Sequence, residues 1–359
     1  MAGAVRVDLH RLRLPLHHPH VAAHGTESER DLVLVAVTAA DGTIGWGECS
    51  TLSRPGYTHE FTEGAWLVLR DVLGPALLAG RGVGVLGHPM AEAAMRTAQL
   101  DATLRRQGTS LATHLGATRP TVTTGAVVGL EGAGDDLVAR VGQALDVHAA
   151  LITCKIRPGA DADRLGPVRA TWPDLVLAAD ANGSYSRSDV ETLTALDRFD
   201  LAYLEQPLAA DDLVGSADLA RRLDTPVALD ESISSPGACA TALALGAAGA
   251  VNLKPSRVGG PRQARAVHDL VVEAGAELWV GGMLESGVGR AAALAVAGLP
   301  GCTRPTDRGP SGRYWTDDVT EPVELRPDGT LAVPTGPGLG VTPRPDRLAE
   351  LTVDHAVIT

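Results

Sequence analysis

The chain has 359 residues, of which 45% are hydrophobic and 21% charged, and its formal net charge is −12. This length fits one (β/α) barrel of about 250 residues together with a smaller domain. The negative charge argues against nucleic acid or an anionic membrane surface as a partner, and no apolar run approaches the roughly 20 residues of a membrane span. Four scattered cysteines without a Cys-x-x-Cys pair predict a reduced, cytoplasmic protein.

The segment 1–125 has the pattern of an α+β domain. Alternating apolar residues predict strands, and the dipeptide Asp41-Gly42 is typical of the tight turn of a hairpin. Two stretches rich in Ala and Leu then show helical periodicity. The predicted strands are Arg6–Leu14, Leu32–Thr38 and Thr43–Glu48, and the predicted helices are Glu60–Leu78 and Met90–Arg106.

Further along the chain, short apolar runs alternate with Ala-rich amphipathic segments, which is typical of βα units. Five successive runs carry an ionisable residue at their end, and these residues follow one another at intervals of 24 or 25. That interval accommodates one strand and one helix, so it predicts a (β/α) barrel. The five residues are Lys155, Asp180, Glu205, Asp230 and Lys254.

The carboxyl ends of barrel strands build the active site, so these residues are expected on one rim. A single Asp at a strand end could simply cap the next helix. Capping does not account for three acids and two lysines in phase. Lys155 and Lys254 are also the only lysines among 31 basic residues. Arginine is effectively always protonated, whereas the surroundings of a lysine can tune it to act as a base.

Three neighbouring carboxylates can converge on one hard cation, for which Mg²⁺ is the best candidate. Neither thiolate nor histidine shares the pattern, which argues against a structural zinc site. The lysines flank the three acids, so a substrate at the metal would lie between two ammonium groups. This arrangement suits removal of a proton next to a carboxylate, with one lysine as base and the metal and other lysine stabilising an enediolate.

At these residues the chain resembles the muconate lactonizing enzyme subgroup of the enolase superfamily. The resemblance runs from Gly45-Trp46-Gly47-Glu48 to Pro334–Gly338. Within the subgroup, Lys254–Gly260 and Gly281–Gly287 are most similar to the o-succinylbenzoate synthase/N-acylamino acid racemase family. The matching motifs are Thr153-Cys154-Lys155, Asp180-Ala181-Asn182, Glu205-Gln206-Pro207, Asp230-Glu231-Ser232 and Asn252-Leu253-Lys254-Pro255.

The resemblance implies an α/β fold, a (β/α)7β modified TIM barrel with an α+β N-terminal capping domain. The capping domain would span residues 1–125 and the barrel 126–322. The segment 323–359 would pack back on the capping domain. The resemblance also implies a homo-oligomer acting on a small-molecule carboxylate, without nucleic acid or membrane as partner.

It further implies the roles of individual residues. Asp180, Glu205 and Asp230 would bind Mg²⁺, with Mn²⁺ as a substitute. Lys155 would be the base in a dehydration and Lys254 would stabilise the enediolate, whereas in a racemisation the two lysines would exchange roles.

Other residues would support this centre. Asn182 would assist the metal site and Arg257 would tune Lys254. The loops His20–Ser28 and Ser50–Glu60 would close over the site. The segment expected to line the pocket for a distal carboxylate consists of Gly282, Met283, Leu284 and Glu285. Glu285 could alternatively orient Lys254 or cap the next helix.

Two departures from the family pattern concern the substrate. Thr153 stands where the family usually has a first lysine, and Val127 stands where it often has a serine. A lysine at position 153 would lower the pKa of Lys155 by repulsion between like charges, and Thr153 does not supply that repulsion.

The leading hypothesis is an o-succinylbenzoate synthase, which performs a dehydration in menaquinone biosynthesis, and the alternative is an N-succinyl- or N-acylamino acid racemase. Dipeptide epimerisation is less favoured because Cys302–Gly309 contains Asp307 but no Asp-x-Asp. Muconate cycloisomerisation and a non-catalytic scaffold barrel also remain open.

Overall fold

The chain begins and ends in one antiparallel sheet and places a parallel barrel between these ends. The computed structural model describes residues 3–22, 25–82, 84–132 and 134–359. Its strands are β1 (Ala4–Ala22), β2 (Gly25–Ala39), β3 (Ile44–Cys49), β4 (Thr121–Thr123), β5 (Ala126–Val128), β6 (Ile152–Lys155), β7 (Leu177–Asp180), β8 (Leu204–Glu205), β9 (Val227–Leu229), β10 (Ala250–Leu253), β11 (Glu277–Val280), β12 (Thr330–Ala332) and β13 (Thr352–Ile358).

The helices cover both sheets. Within the described part of the chain, no helix is long and apolar enough to cross a membrane. The α-helices are α1 (Thr62–Val68), α2 (Gly74–Leu78), α3 (Pro89–Gln107), α4 (Leu111–Leu115), α5 (Asp135–Asp146), α6 (Ala162–Thr171), α7 (Val190–Thr194), α8 (Leu213–Ala220), α9 (Pro236–Ala244), α10 (Pro261–Glu273), α11 (Gly287–Ala297) and α12 (Pro345–Leu351).

The antiparallel sheet has the order β13-β1-β2-β3. Thr38 lies opposite Ile44, so the hairpin predicted at Asp41-Gly42 is confirmed, and Gly42 adopts the positive φ of 84° that this turn requires. The predicted helix Glu60–Leu78 is also present, as α1 and α2 joined by one π-helical turn over Leu69–Leu73. The wider turn comes just before Pro75, whose ring cannot be accommodated by regular helical hydrogen bonding.

Helix α3 lies directly on β3 because two glycines of that strand have no side chain. A Cβ atom at Gly45 would be 2.1 Å from the amide nitrogen of Ala102. A Cβ atom at Gly47 would be 2.0 Å from the carbonyl oxygen of Ala94. The glycines are two residues apart and therefore face the same side of the strand.

The parallel sheet has the order β11-β10-β9-β8-β7-β6-β5 and confirms the predicted barrel. In its ladder Lys155 pairs with Asp180, and Asp180 pairs with Glu205. The ionisable residues therefore stand side by side at one end of the sheet, as the interval of 25 residues predicts.

A short segment around Thr306 closes the barrel between β11 and β5. The carbonyl oxygen of Thr306 accepts a hydrogen bond from the Gly125 amide at 2.7 Å, and the amide of Arg304 reaches the Leu278 carbonyl oxygen at 3.4 Å.

Next to this closing segment, Arg308 binds the loop that follows β11. Its Nη2 donates to the Gly281 carbonyl oxygen at 2.7 Å and to Glu285 Oε1 at 2.8 Å. The Arg308–Glu285 ion pair is almost fully buried, with exposed side-chain fractions of 2% and 3%.

We predict that Gly47→Ala lowers the free energy of unfolding by about 1–3 kcal/mol or more, because the new methyl group must push α3 away from β3. Urea denaturation measures the change. Gly142→Ala in α5 is the matched control, since its Cβ would meet only Trp172 at an ordinary 3.9 Å. The control is expected to be neutral or mildly stabilising. Equal effects of the two substitutions would contradict the close packing.

We also predict that Glu285→Gln destabilises the fold by about 3–5 kcal/mol, because it leaves the Arg308 charge buried and unpaired. The double variant Glu285→Gln/Arg308→Met should recover part of the loss. Asp218→Asn serves as control, because the Arg221–Asp218 pair is exposed and should contribute at most about 1 kcal/mol. A Glu285→Gln midpoint no lower than that of the control would refute the prediction.

Candidate active site

The five ionisable residues predicted at the strand ends line one cavity of about 330 Å³. Lys155, Asp180 and Glu205 are the last residues of β6, β7 and β8, while Asp230 and Lys254 directly follow β9 and β10. Parallel strands with equal spacing explain this convergence, since their carboxyl ends meet at one rim.

Each lysine contacts one of the outer two carboxylates. Lys155 Nζ lies 2.5 Å from Asp180 Oδ2 and 2.5 Å from Asn182 Oδ1. Lys254 Nζ lies 2.8 Å from Asp230 Oδ2. Glu205 stands between Asp180 and Asp230 in the strand order, and its Oε1 accepts a hydrogen bond from the neutral side-chain amide of Asn252 at 2.7 Å.

The electrostatics of the three acids differ accordingly. Burial, together with the charges of Asp180 and Asp230, raises the pKa of Glu205 well above its usual value. Burial opposes ionisation of Asp230 too, but the charges of Arg257 and Lys254 hold its pKa below the usual range. Lys155 attracts the Glu205 carboxylate as well, but its ammonium group lies on Asp180, so within the described residues Glu205 forms no ion pair of its own.

The chemistry of this donor set fits a hard cation. Three buried carboxylates crowd together, and two nearby buried oxygens, Glu231 Oε2 and Asn252 Oδ1, have no hydrogen-bond partner. The ammonium groups of Lys155 and Lys254 lie on Asp180 and Asp230. In this arrangement, no group of three His, Cys, Asp or Glu side chains in the described segments has the geometry of a metal site.

Tyr57 is a site residue that the sequence did not single out. It comes from the predicted loop Ser50–Glu60, and its hydroxyl donates to Asp230 Oδ2 at 2.8 Å. The Tyr57 hydroxyl oxygen in turn accepts a hydrogen bond from Lys254 Nζ at 2.6 Å and one from Arg257 Nη1 at 2.7 Å. Nothing in the spacing of the loop marks this tyrosine, because its partners are about 200 positions away in the chain.

Arg257 lies beside Lys254, but it contacts the lysine's carboxylate partner. Its Nη1 donates to Asp230 Oδ1 at 2.6 Å, and Coulomb repulsion from the guanidinium acts to lower the pKa of Lys254. Burial is the strongest influence lowering the pKa of Lys254, but the combined attraction of Asp230, Glu231 and Asp307 raises it overall.

Both alternative roles suggested for Glu285 are wrong. Its carboxylate binds Arg308, and the N-cap of α11 is Ser286, whose side chain accepts from the Val288 amide. Glu48 of β3 also accepts from the amides of that helix start, at 3.1 Å from Ser286 and 2.9 Å from Gly289. Glu285 binds Arg308, 23 positions further along the chain, and Glu48 binds amides about 240 positions away, so a helix-start pattern cannot reveal either contact.

The predicted pocket segment does line the cavity, and the capping domain supports it. The segment comprises Gly282, Met283, Leu284 and Glu285. Leu284 has a positive φ of 53°, an uncommon conformation for this residue type. Buried Arg30 of β2 donates to the Met283 carbonyl oxygen at 3.0 Å and to the Thr51 carbonyl oxygen at 3.0 Å, joining this segment to the Ser50–Glu60 loop.

Both departures from the family pattern lie in the cavity wall. The Thr153 hydroxyl is 3.0 Å from the hydroxyl of Tyr203, whose ring stacks on Trp279. The Val127 carbonyl oxygen accepts a hydrogen bond from Arg313 at 3.1 Å. The predicted loop His20–Ser28 falls largely outside the residues whose side chains the structure describes.

Two family models match the chain. The mandelate racemase/muconate lactonizing enzyme N-terminal domain matches residues 4–116, and the enolase C-terminal domain-like family matches residues 136–347. An enolase-superfamily protein from Enterococcus faecalis V583 has a solved structure with a TM-score of 0.93, 34% identity and full coverage of both chains.

Similar curated proteins belong to two enzyme classes. The N-succinylamino acid racemase of Amycolatopsis sp is 44% identical over 96% of both chains. The o-succinylbenzoate synthase of Geobacillus kaustophilus is 38% identical over 93% of this chain and 92% of its own. The chain is therefore an enzyme of the enolase superfamily, in the muconate lactonizing enzyme subgroup and close to its o-succinylbenzoate synthases and N-succinylamino acid racemases.

Proposed function

We propose that this enzyme removes the proton next to the carboxylate of a succinylated substrate held at a Mg²⁺ ion. The observation that carries the proposal is the order of charges at the rim, where a lysine flanks the three carboxylates on each side. A substrate between the lysines would present its α-carbon to both.

Asp180, Glu205 and Asp230 would hold the metal, with Asn182 beside them, and Mn²⁺ could replace Mg²⁺. When bound, the ion supplies positive charge that stabilises the negative charge developing on the substrate carboxylate. The position of Glu205 between the like charges of Asp180 and Asp230, and the unpartnered oxygens of Glu231 and Asn252, support this assignment.

The lysines would carry the proton. Although burial acts to lower it, the pKa of Lys155 is raised by Asp180 and Glu205. Lys155 can accept the substrate proton only as a neutral amine. For the amine to be neutral, Asp180 and Glu205 would have to bind another cation in place of the ammonium group. The same holds for Lys254 and Asp230, while Tyr57 and Arg257 keep Asp230 in place.

Racemisation of N-succinylamino acids is our first candidate for the net reaction. It needs two proton-transferring groups, and the two lysines make equivalent contacts with the outer carboxylates. The relative that is 44% identical supports it.

Dehydration to o-succinylbenzoate, the leading hypothesis from the sequence, is the second candidate. Several relatives at 36–38% identity carry that name. The reaction needs only one base, which agrees with the presence of Thr153 where the family usually has a lysine.

We predict that Lys155→Ala and Lys254→Ala each slow α-proton exchange of N-succinylamino acids in D₂O, followed by NMR, by at least about 100-fold, because each removes a proton-transferring group. Asp230→Asn should abolish Mg²⁺ binding in calorimetry. Arg221→Ala, at an exposed ion pair, is the control. Wild-type enzyme that binds Mg²⁺ but exchanges no substrate proton would refute the proposal.

Comparing kcat/KM for the cyclohexadiene precursor of o-succinylbenzoate and for N-succinylamino acids distinguishes the two candidates. A higher value for the amino acids would support racemisation, and a higher value for the precursor would reverse our order.

A further inference from the structure

Two arginines meet on one tyrosine in the cavity wall. Arg290 lies 5.3 Å from the centre of the Tyr314 ring and Arg313 lies 5.5 Å from it. All three residues line the cavity that contains the lysines and the acids. We call Arg290, Tyr314 and Arg313 the arginine wall.

The arginine wall differs from the other cations of the cavity in having no acidic partner. Within the described residues, neither of its guanidinium groups forms an ion pair. The cavity cations that do form one are Lys155 with Asp180, Lys254 with Asp230, Arg308 with Glu285 and Arg140 with Glu131.

Arg290 is the stronger of the two indications. Its side chain is 2% exposed, its Nη1 donates to the Gly309 carbonyl oxygen, and its buried Nε has no hydrogen-bond partner. Burial lowers the pKa of Arg290, which shows that the surroundings disfavour its charge. The carboxylates of Asp318 and Glu285 attract the guanidinium, but within the described residues neither forms an ion pair with it, and a ligand carboxylate would supply that contact.

Two acids of the cavity could have been the counter-charge, but neither is. Glu285 is already bound by Arg308. Burial raises the pKa of Asp307, and the cations that act on its carboxylate are Lys254 and Arg308. Arg313 at the exposed edge binds only the Val127 carbonyl oxygen.

We propose that the arginine wall binds the second carboxylate of a dicarboxylate substrate, and thereby selects a free succinyl group over a neutral acyl group. The inference rests on the proposed function for the position of the first carboxylate. The proposal places the distal carboxylate at Arg290 and Arg313, whereas the sequence had suggested the segment Gly282–Glu285. In that segment the carboxylate of Glu285 already forms an ion pair with Arg308.

The test measures Kd by calorimetry on the Mg²⁺-loaded enzyme, for N-succinyl-L-phenylalanine and for its analogue with a terminal carboxamide. Wild type is expected to prefer the free carboxylate by about 10- to 100-fold, the contribution of charge-assisted hydrogen bonds. Arg290→Gln, which keeps a donor without the charge, should lose most of the preference, and Arg290→Lys should retain part of it.

Arg304→Gln is the matched control, because Arg304 also lies over a tyrosine ring but pairs with Glu277 and does not line the cavity. If Arg290→Gln does not fold, Arg313→Gln tests the same ligand preference at an exposed position. The Arg313→Gln enzyme should lose part of the preference for the free carboxylate over the carboxamide. Equal affinity of wild type for both ligands, or an unchanged preference in Arg290→Gln or Arg313→Gln, would overturn the inference.

The two proposals fail separately. Carboxylate preference without α-proton exchange would refute the proposed reaction and leave the arginine wall assigned. Exchange without carboxylate preference would do the reverse.

Discussion

Mutual repulsion among three buried carboxylates is the constraint around which this site is arranged. Asp180, Glu205 and Asp230 stand on neighbouring strands because the barrel repeats every 24 or 25 residues. Such a group is stable only with positive charge nearby. The lysines supply that charge to the outer two acids, at 2.5 and 2.8 Å. Within the described residues the central acid forms no ion pair of its own, although Lys155 attracts it, so the arrangement favours a further cation.

The capping domain is part of this site because its buried polar groups bind barrel loops. Arg30 joins the Ser50–Glu60 loop to the pocket segment, and Glu48 accepts from the start of α11. Tyr57 reaches furthest, since its hydroxyl contacts a lysine, an arginine and a carboxylate at once. A change of capping loop would therefore alter the contacts of Lys254, Arg257 and Asp230 as well as the pocket walls.

Charge pairing distinguishes two regions of the cavity. Around the strand ends, each cation is paired with an acid that a metal could take over. On the arginine wall, Arg290 and Arg313 form no ion pair within the described residues, and the proposal assigns their charge to a ligand. A substrate with two carboxylates would satisfy both regions, which connects the α-proton chemistry to recognition of the succinyl group.

The sequence by itself determined the barrel, the capping hairpin and the five residues at the rim, because strand ends recur with a local period and Asp41-Gly42 encodes its own turn. It did not determine the partners of side chains. Tyr57 meets Lys254 across 197 positions, Glu285 meets Arg308 instead of Lys254, and within the described residues the buried Nε of Arg290 has no hydrogen-bond partner. Only the tertiary structure decided these points, because ion pairs and hydrogen bonds between distant segments depend on how the strands and loops pack, which no local pattern records.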